Sequence, residues 1–277
     1  MTTNTDLPGS GAPSHARLDA DTFDALKSRT EDHVRRCPAD SRERWLLFEL
    51  LCLDGAWERA LRHLQTWATL RPDGESRAQT FRLLVQSEAF RAEVFAGRRL
   101  PCSLGPVPAW LDTLHRANVA LADQDLATAD ALRTVALNDA PARGGDGQPL
   151  GAFAWLTDSD SRLGPVCELI ATGCYHLLPF DDLSSLTLGP VTAPSDLIWR
   201  QATVTRNDGK VLHGYVPMRY PGSERGPTPV KLARHTTWTE LGETSVIALG
   251  QKTWTTDHGD FGLLGLDTCR FDTRERA

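Results

Sequence analysis

The chain has 277 residues, of which 40% are hydrophobic, and this length suits one large domain or two closely packed ones, of which we predict two. The net charge of −6 divides evenly, because residues 1–140 and 141–277 each carry −3. Without a block of basic residues to displace counterions from phosphates, the composition argues against binding of nucleic acid.

The first 18 residues are rich in Thr, Gly, Ser and Pro and contain no apolar stretch typical of a secretion signal. No stretch elsewhere approaches the roughly 20 apolar residues that span a bilayer. Six cysteines are scattered without a C-x-x-C pair, which argues against a disulfide framework and against a zinc site. We therefore predict a disordered tail over residues 1–18 and a cytoplasmic protein with reduced thiols, no membrane association, no metal and no cofactor.

From about residue 21 to residue 140, apolar residues recur at intervals of three and four, which predicts a series of short helices. Two helical hairpins stand out, because Ala60 precedes Pro72 by twelve positions and Ala129 precedes Pro141 by the same interval. This spacing is typical of tetratricopeptide repeats. We predict a tetratricopeptide-like domain over residues 19–142, which either forms a peptide-binding groove or packs as a bundle without one. Further helices are predicted over residues 21–36, 76–96 and 108–122. The charged residues Arg42, Glu43 and Arg91 are expected to lie on a solvated face of the helical domain.

After the glycine-rich residues 144–147 the period changes toward two, and β-branched and aromatic residues gather between turns. Seven strands are predicted, over residues 153–157, 175–178, 197–205, 211–216, 231–238, 245–249 and 261–266. One helix, which Pro165 opens and Gly173 ends, is predicted over residues 165–172. The fold class is therefore α+β, with the helical repeats followed by a mainly antiparallel sheet domain with one inserted helix over residues 150–277.

Carboxylates are densest at the seam between the two halves, where Asp158, Asp160 and Glu168 lie within eleven residues. The first two match an EF-hand calcium loop, but Arg162, Leu163 and Leu169 occupy positions that require a ligand, a glycine and a glutamate. We predict a structural role instead. Arg162 is expected to pair with Asp158 or Asp160, and Glu168 is expected to lie near the positive end of the helix that follows Pro165.

An alternative interpretation is a metal-assisted hydrolase that uses Asp158, Asp160, Glu168 and His176. It depends only on the density of carboxylates, since no two histidines have ligand spacing and the common nucleophile and phosphate-loop motifs are absent. Asp257-His258-Gly259-Asp260 is interpreted as a turn between strands. We therefore do not expect an enzyme, and we assign no catalytic residue.

Large aromatic and cationic side chains of the second half are predicted to be structural. Trp155, Trp199, Trp238 and Trp254 lie at or beside predicted strands, where tryptophan usually belongs to the core. Arg219 opens the polar turn Arg219-Tyr220-Pro221-Gly222-Ser223 and is expected to hydrogen-bond backbone carbonyls.

Two ordered strings of residues carry a family resemblance. The first is D-x-D-x-R-L-G-P-x-x-E, formed by Asp158, Asp160, Arg162, Leu163, Gly164, Pro165 and Glu168, and the second is R-Y-P-G-S, beginning at Arg219 and Tyr220. Together with the Phe48-Glu49-Leu50-Leu51 run, Gly55, Trp57 and Trp238, they resemble the ImpE family, also called TagJ, from about residue 30 to residue 270.

The resemblance implies a non-enzymatic cytoplasmic adaptor of the bacterial type VI secretion system. It also implies a partner, the small subunit of the contractile sheath, contacted through an N-terminal helix of that subunit, with an indirect link to a ClpV-type ATPase. We expect this amphipathic helix to lie in an apolar groove, because burial of apolar area at about 25 cal/mol per Å² requires no charged site. The sequence does not indicate which residues bind it.

Overall fold

The computed structural model describes Leu18 and residues 20–273. Residues 1–17 of the predicted tail lie outside the described residues, whereas Leu18 is buried in the core. The described residues of the helical half form six α-helices: α1 (Ala20–Arg36), α2 (Ser41–Leu53), α3 (Trp57–Leu70), α4 (Glu75–Phe95), α5 (Ala109–Ala122) and α6 (Leu126–Asp139). They follow the predicted helical segments closely.

Two pairs of consecutive helices form hairpins, α2 with α3 and α5 with α6. Ala60 and Ala129, the small residues predicted for the helix crossings, are fully buried. Gly55 has a φ of +74° in the α2–α3 turn, a conformation that glycine adopts without steric cost. The likeness of these hairpins to tetratricopeptide repeats stays a prediction.

Helix α2 lies at the centre of the helical half. Asp40 caps its first turn by accepting hydrogen bonds from the backbone N–H groups of Arg42 and Glu43. Every residue from Leu47 to Leu53 is buried, because α1, α3 and the 3₁₀ turn Pro194–Leu197 pack around the helix. Within the described residues, no helix combines the length and apolar character needed to cross a membrane.

The second half is built from thirteen short strands: β1 (Gly145–Gln148), β2 (Gly151–Phe153), β3 (Leu156–Asp158), β4 (Val166–Ala171), β5 (Cys174–Pro179), β6 (Leu183–Leu188), β7 (Trp199–Arg206), β8 (Val211–Pro217), β9 (Thr236–Leu241), β10 (Ser245–Gly250), β11 (Thr253–Thr256), β12 (Gly259–Gly262) and β13 (Thr268–Phe271). A short helix, α7 (Thr228–Lys231), precedes β9.

The strands pair antiparallel throughout. Eight of them form one sheet in the order β2-β1-β13-β6-β7-β8-β4-β5, while β12-β11-β3 and β10-β9 form smaller sheets. The α+β class and the mainly antiparallel sheet are thus confirmed.

The predicted helix over residues 165–172 is wrong, because this segment is strand β4. All six residues of β4 are buried, so the alternation that marks a half-exposed strand is missing. The strand is covered on one face by the core that includes the helices and on the other by the core of the sheet. Glu168 therefore lies in a strand rather than at a helix terminus.

Other boundaries in the second half also differ from prediction. The strand predicted over residues 153–157 is not continuous, because residues 154 and 155 separate β2 from β3. The glycine-rich residues 144–147 were expected to separate the halves, but most of them belong to β1, which pairs with β2 and β13. The strand predicted over residues 231–238 begins only at Thr236, after α7. The strand predicted over residues 261–266 ends at Gly262 and continues as a 3₁₀ turn. The domain limits at residues 142 and 150 stay predictions.

One hydrophobic core joins the helices to the sheet. Phe48 and Phe81 from the helices share a cluster with Ile170, Tyr175 and Trp199 from the strands. Phe81 and Trp199 are in aromatic contact, with ring centroids 6.3 Å apart. A second cluster fills the opposite side of the sheet. The helical half is therefore packed directly on one face of the eight-stranded sheet.

Candidate functional site

Glu168 lies at the centre of a buried group of charges between α4 and β4. The guanidinium of Arg91 donates to both carboxylate oxygens, from Nε to Oε1 and from Nη2 to Oε2. The Tyr175 hydroxyl donates to Oε1 at 2.7 Å. Lys252 donates from Nζ to Oε2. Arg91 is fully buried, so its predicted place on a solvated face is wrong.

Lys252 connects Glu168 to Asp158, since its Nζ lies 2.6 Å from Asp158 Oδ2. The Tyr220 hydroxyl donates to Asp158 Oδ1 at 2.7 Å. Arg91, Asp158, Glu168 and Lys252 together form what we call the ionic junction, in which two cations balance two carboxylates. The junction has one side chain each from α4, β3, β4 and the residue before β11. It therefore joins the helical half to the eight-stranded sheet and to the β12-β11-β3 sheet.

The electrostatics of the junction follow from its burial. Burial alone would raise the pKa of Glu168, but the charges of Arg91 and Lys252 lower it to about 2. Burial raises the pKa of Asp158 to about 6 in spite of Lys252. Burial opposes the charge of Lys252, but the two carboxylates raise its pKa above the ordinary value. The junction therefore holds its four groups through mutual charge compensation.

The neighbouring Asp160 is engaged by Arg162, as the sequence predicted for a local ion pair. Arg162 donates from Nε to Oδ1 at 2.8 Å and from Nη2 to Oδ2 at 2.5 Å. The backbone N–H of Ala248 donates to Asp160 Oδ2 at 3.0 Å, which attaches β10 to this loop. The three carboxylates of the D-x-D-x-R-L-G-P-x-x-E string are thus all held by side chains or backbone of the protein itself.

The four residues of the alternative hydrolase do not converge. His176 pairs with Leu169 on β4, so its side chain lies on the sheet face opposite to that of Glu168. Its Nδ1 is 3.0 Å from the carbonyl oxygen of Cys102. Among the described residues, no group of three or more His, Cys, Asp or Glu side chains is arranged to hold a metal ion. The structure therefore does not bring the four residues of the alternative hydrolase together.

Arg219 has the role predicted for it. Its guanidinium donates to the carbonyl oxygens of Cys52, Leu53 and Lys231 at 2.7–3.0 Å. Two of these carbonyls end helix α2, where backbone acceptors have no partner within the helix. Arg219 therefore caps α2 from the sheet side.

The four tryptophans divide between core and surface. Trp199 and Trp254 are buried, as predicted. Trp155 and Trp238 are 38% and 47% exposed, so the prediction that they belong to the core is wrong. Trp238 lies on β9, which forms a two-stranded sheet with β10 among the described residues.

Two further carboxylates were missed by the sequence prediction, the buried Glu49 and the partly buried Glu88. Glu49 on α2 accepts a 2.7 Å hydrogen bond from the Ser195 hydroxyl, and burial raises its pKa to about 7. Glu88 on α4 accepts a 2.7 Å hydrogen bond from the indole Nε1 of Trp199. Glu49 stands within the apolar Phe48–Leu51 run, and this position was the only signal available in the sequence.

A second feature is an apolar groove beside the junction. It encloses about 510 Å³ between the end of α4, the segment over residues 98–108, the start of α5 and the end of β5. Its walls are mainly aliphatic, aromatic or proline side chains: Val94, Phe95, Leu100, Pro101, Leu104, Pro106, Val107, Pro108, Leu111, Leu114, Leu163, Leu177, Leu178 and Pro179. We call this feature the apolar groove.

The outer wall of the apolar groove consists of aliphatic side chains that are exposed to solvent. Leu100 and Val107 are 63% and 54% exposed, and Leu104 is also exposed. Charged groups are confined to a few positions, including Asp112, Arg162 and Arg206. An apolar concavity with few polar groups is typical of a surface that binds apolar side chains of a partner or ligand.

Comparison with known proteins places these features in a family. The model described as ImpE protein matches residues 151–270. The type VI secretion system accessory component TagJ of Pseudomonas aeruginosa is 36% identical over 251 residues, which are 90% of this chain and 87% of that protein. The crystal structure of protein VPA1032 from Vibrio parahaemolyticus is similar in fold, with a TM-score of 0.80 at 24% identity over 91% of this chain and 95% of that one. The chain therefore belongs to the ImpE/TagJ family.

Proposed function

We propose that the chain is a non-enzymatic, cytoplasmic adaptor of a bacterial type VI secretion system. Its partner is the small sheath subunit, which it binds through an amphipathic N-terminal helix of that subunit. By holding this helix it influences assembly of the sheath or its recycling by a ClpV-type ATPase. The accessory role follows the relative from Pseudomonas aeruginosa, whose similarity extends over 90% of the chain.

The apolar groove is the observation that supports a binding role. Its exposed aliphatic wall would bury apolar area only when a second chain covers it, and burial of about 25 cal/mol per Å² drives such association. The carboxylates that suggested chemistry are instead held by protein cations and backbone groups. A binding surface and a neutralised junction together favour an adaptor over a hydrolase.

The shape of the groove suits one face of an amphipathic helix. Helical side chains at positions i, i+3, i+4 and i+7 form a single apolar stripe, which is the part that such a groove accepts. The volume of about 510 Å³ holds several aliphatic side chains. The polar face of the helix would stay in solvent beside Asp112 and Arg206.

Titration of the full chain with the N-terminal peptide of the small sheath subunit tests the proposal. We expect saturable one-to-one binding by calorimetry, with a negative heat-capacity change because apolar surface is buried. An absence of binding at high micromolar peptide would refute the adaptor role in this form.

The position of the site is tested by placing a charge in the groove. Val107→Asp puts a carboxylate on the apolar wall, and we expect affinity to fall about tenfold or more, since desolvating an unpaired charge opposes binding. Val135→Asp is the matched control, because Val135 is 52% exposed on α6 and does not line the groove. Equal affinities of the two variants would place the peptide elsewhere.

A further inference from the structure

Cys102 and Cys174 bring two thiols together beside the apolar groove. Cys102 belongs to the segment over residues 98–108, and Cys174 is the first residue of β5. Partial burial and the neighbouring thiol of Cys174 both raise the pKa of Cys102. Both line a second cavity of about 460 Å³ between α4 and the β4–β5 hairpin. Cys102 also lines the apolar groove, so it stands in the wall between the two cavities.

Backbone pairing holds these thiols on the same face of the sheet edge. Cys102 forms a parallel bridge with His176, and its N–H donates to the Tyr175 carbonyl at 2.8 Å. Cys174 lies two residues before His176, so its side chain projects from the same face as that of His176. Strand pairing therefore places the two cysteines at neighbouring positions of the sheet edge.

The environment of this pair differs from that of the other cysteines. Cys52, Cys167 and Cys269 are buried, and burial raises the pKa of each thiol. Cys37 is exposed, in the turn between α1 and α2. Cys102 and Cys174 are neighbours and both are partly exposed, so a dissolved oxidant can reach them. Partial burial also raises the pKa of Cys102, so exposure rather than pKa distinguishes this pair from the buried thiols.

We propose that Cys102 and Cys174 are a reversible disulfide-forming pair whose oxidation changes the outer wall of the apolar groove. The oxidant is a low-molecular-weight disulfide such as glutathione disulfide. In reducing compartments, disulfides of this kind are transient and report the redox state. The apolar groove described above is that of the reduced protein, in which both cysteines are free thiols.

The exchange proceeds in two balanced steps. One protein thiolate attacks a sulfur of glutathione disulfide, so a mixed disulfide forms and one glutathione thiolate leaves. The second protein thiolate attacks the protein sulfur of that mixed disulfide, forming the Cys102–Cys174 bond and releasing the second glutathione. Two electrons pass from the pair to the oxidant, and the two thiol protons end on the two glutathione molecules.

Closure of this bond acts on the groove through Cys102. The two sulfur atoms must approach to bonding distance, which draws Cys102 toward Cys174 and the second cavity. Leu100, Leu104 and Val107 lie on the same segment and form the exposed wall of the groove. Oxidation therefore displaces the wall and weakens binding of an apolar helix. This consequence for binding rests on the proposed function, whereas formation of the disulfide does not.

The test uses the full chain, oxidised with glutathione disulfide and blocked with an alkylating reagent. Intact mass should decrease by two hydrogen atoms before the reagent is added, and peptide mapping after blocking should find Cys102 linked to Cys174. Cys102→Ser and Cys174→Ser should each abolish that cross-link, while the control Cys37→Ser should retain it. Oxidised chain should bind the sheath-subunit peptide about fivefold or more weakly than reduced chain, and reductant should restore the affinity.

The possible outcomes separate the two proposals. A lasting mixed disulfide with glutathione, a cross-link between other cysteines, or two thiols that stay free would overturn the pair. A Cys102–Cys174 cross-link with unchanged or tighter peptide binding would overturn its effect on the groove. Failure of reduced chain to bind the peptide contradicts the proposed function alone, because the cross-link is read by mass.

Discussion

Replacing Lys252 by methionine should lower the free energy of unfolding by about 3–5 kcal/mol, the range for removing one partner of a buried ion pair. Lys252 is buried and contacts Asp158 and Glu168. Methionine has a similar length but no charge, so Asp158 loses its cation while Glu168 keeps Arg91. The cost arises because a buried carboxylate without a counterion is poorly solvated.

Urea denaturation at neutral pH measures this loss, with Lys210→Met as the control. Lys210 is largely exposed and contacts only Asp208 among the ion pairs of the described residues. Its replacement should change the free energy of unfolding by no more than about 0.5 kcal/mol. A loss below about 1 kcal/mol in Lys252→Met would contradict the role of Lys252 as the counterion of two buried carboxylates.

Protonation of Glu49 should make the protein more stable at pH 5 than at pH 8. Burial raises the folded-state pKa of Glu49 to about 7, above its ordinary value of 4.5. The folded state therefore binds more protons than the unfolded state between these two values. The contribution is fully present below about pH 4.5 and is lost as pH rises through about 7. Between pH 5 and pH 8 it amounts to about 2–3 kcal/mol.

Glu49→Gln isolates this effect, because glutamine keeps the volume of the side chain and does not titrate. Unfolding free energies of the wild type and the variant are compared at both pH values, so other titrating groups cancel in the difference. We expect the fall in stability from pH 5 to pH 8 to be smaller in the variant by the stated amount. Identical pH dependence in the two proteins would show that the Glu49 carboxyl is not perturbed.

The helical half was predicted well because its signals are local. The stripe that begins at Trp57 and the small residues Ala60 and Ala129 appear within single helices and hairpins. A period near 3.6 and a proline after the repeat need no knowledge of distant residues. The sequence could not, however, show that the sheet covers Arg91 on α4.

Strand β4 shows where local signals mislead. Pro165 resembles the first residue of a helix, and the uniformly apolar Val166, Leu169 and Ile170 fit either a buried helix or a buried strand. The strand is buried on both faces, so no alternation remains to distinguish the two. Strands β1, β6, β11 and β13 were missed because they are short or contain glycine, serine or threonine where a core pattern was sought.

The ion pairs of the D-x-D-x-R-L-G-P-x-x-E string were only half predictable. The local Asp160–Arg162 pair follows from a separation of two residues. Arg91 and Lys252 stand 77 and 84 positions from Glu168, and only the packing of α4 and the start of β11 on β4 brings them together. The apolar groove likewise combines α4, α5 and β5, so the sequence could predict an apolar binding mode but not its location.

Hydrogen exchange of the full chain, measured with and without the sheath-subunit peptide, tests most directly whether the apolar groove binds the partner. We expect slower exchange in residues 98–118 and 177–179, which include the walls of the apolar groove. Exchange in the exposed β9–β10 hairpin should not change. Slower exchange confined to β9–β10 or to another surface, with unchanged exchange in the groove, would contradict binding of the peptide in the apolar groove.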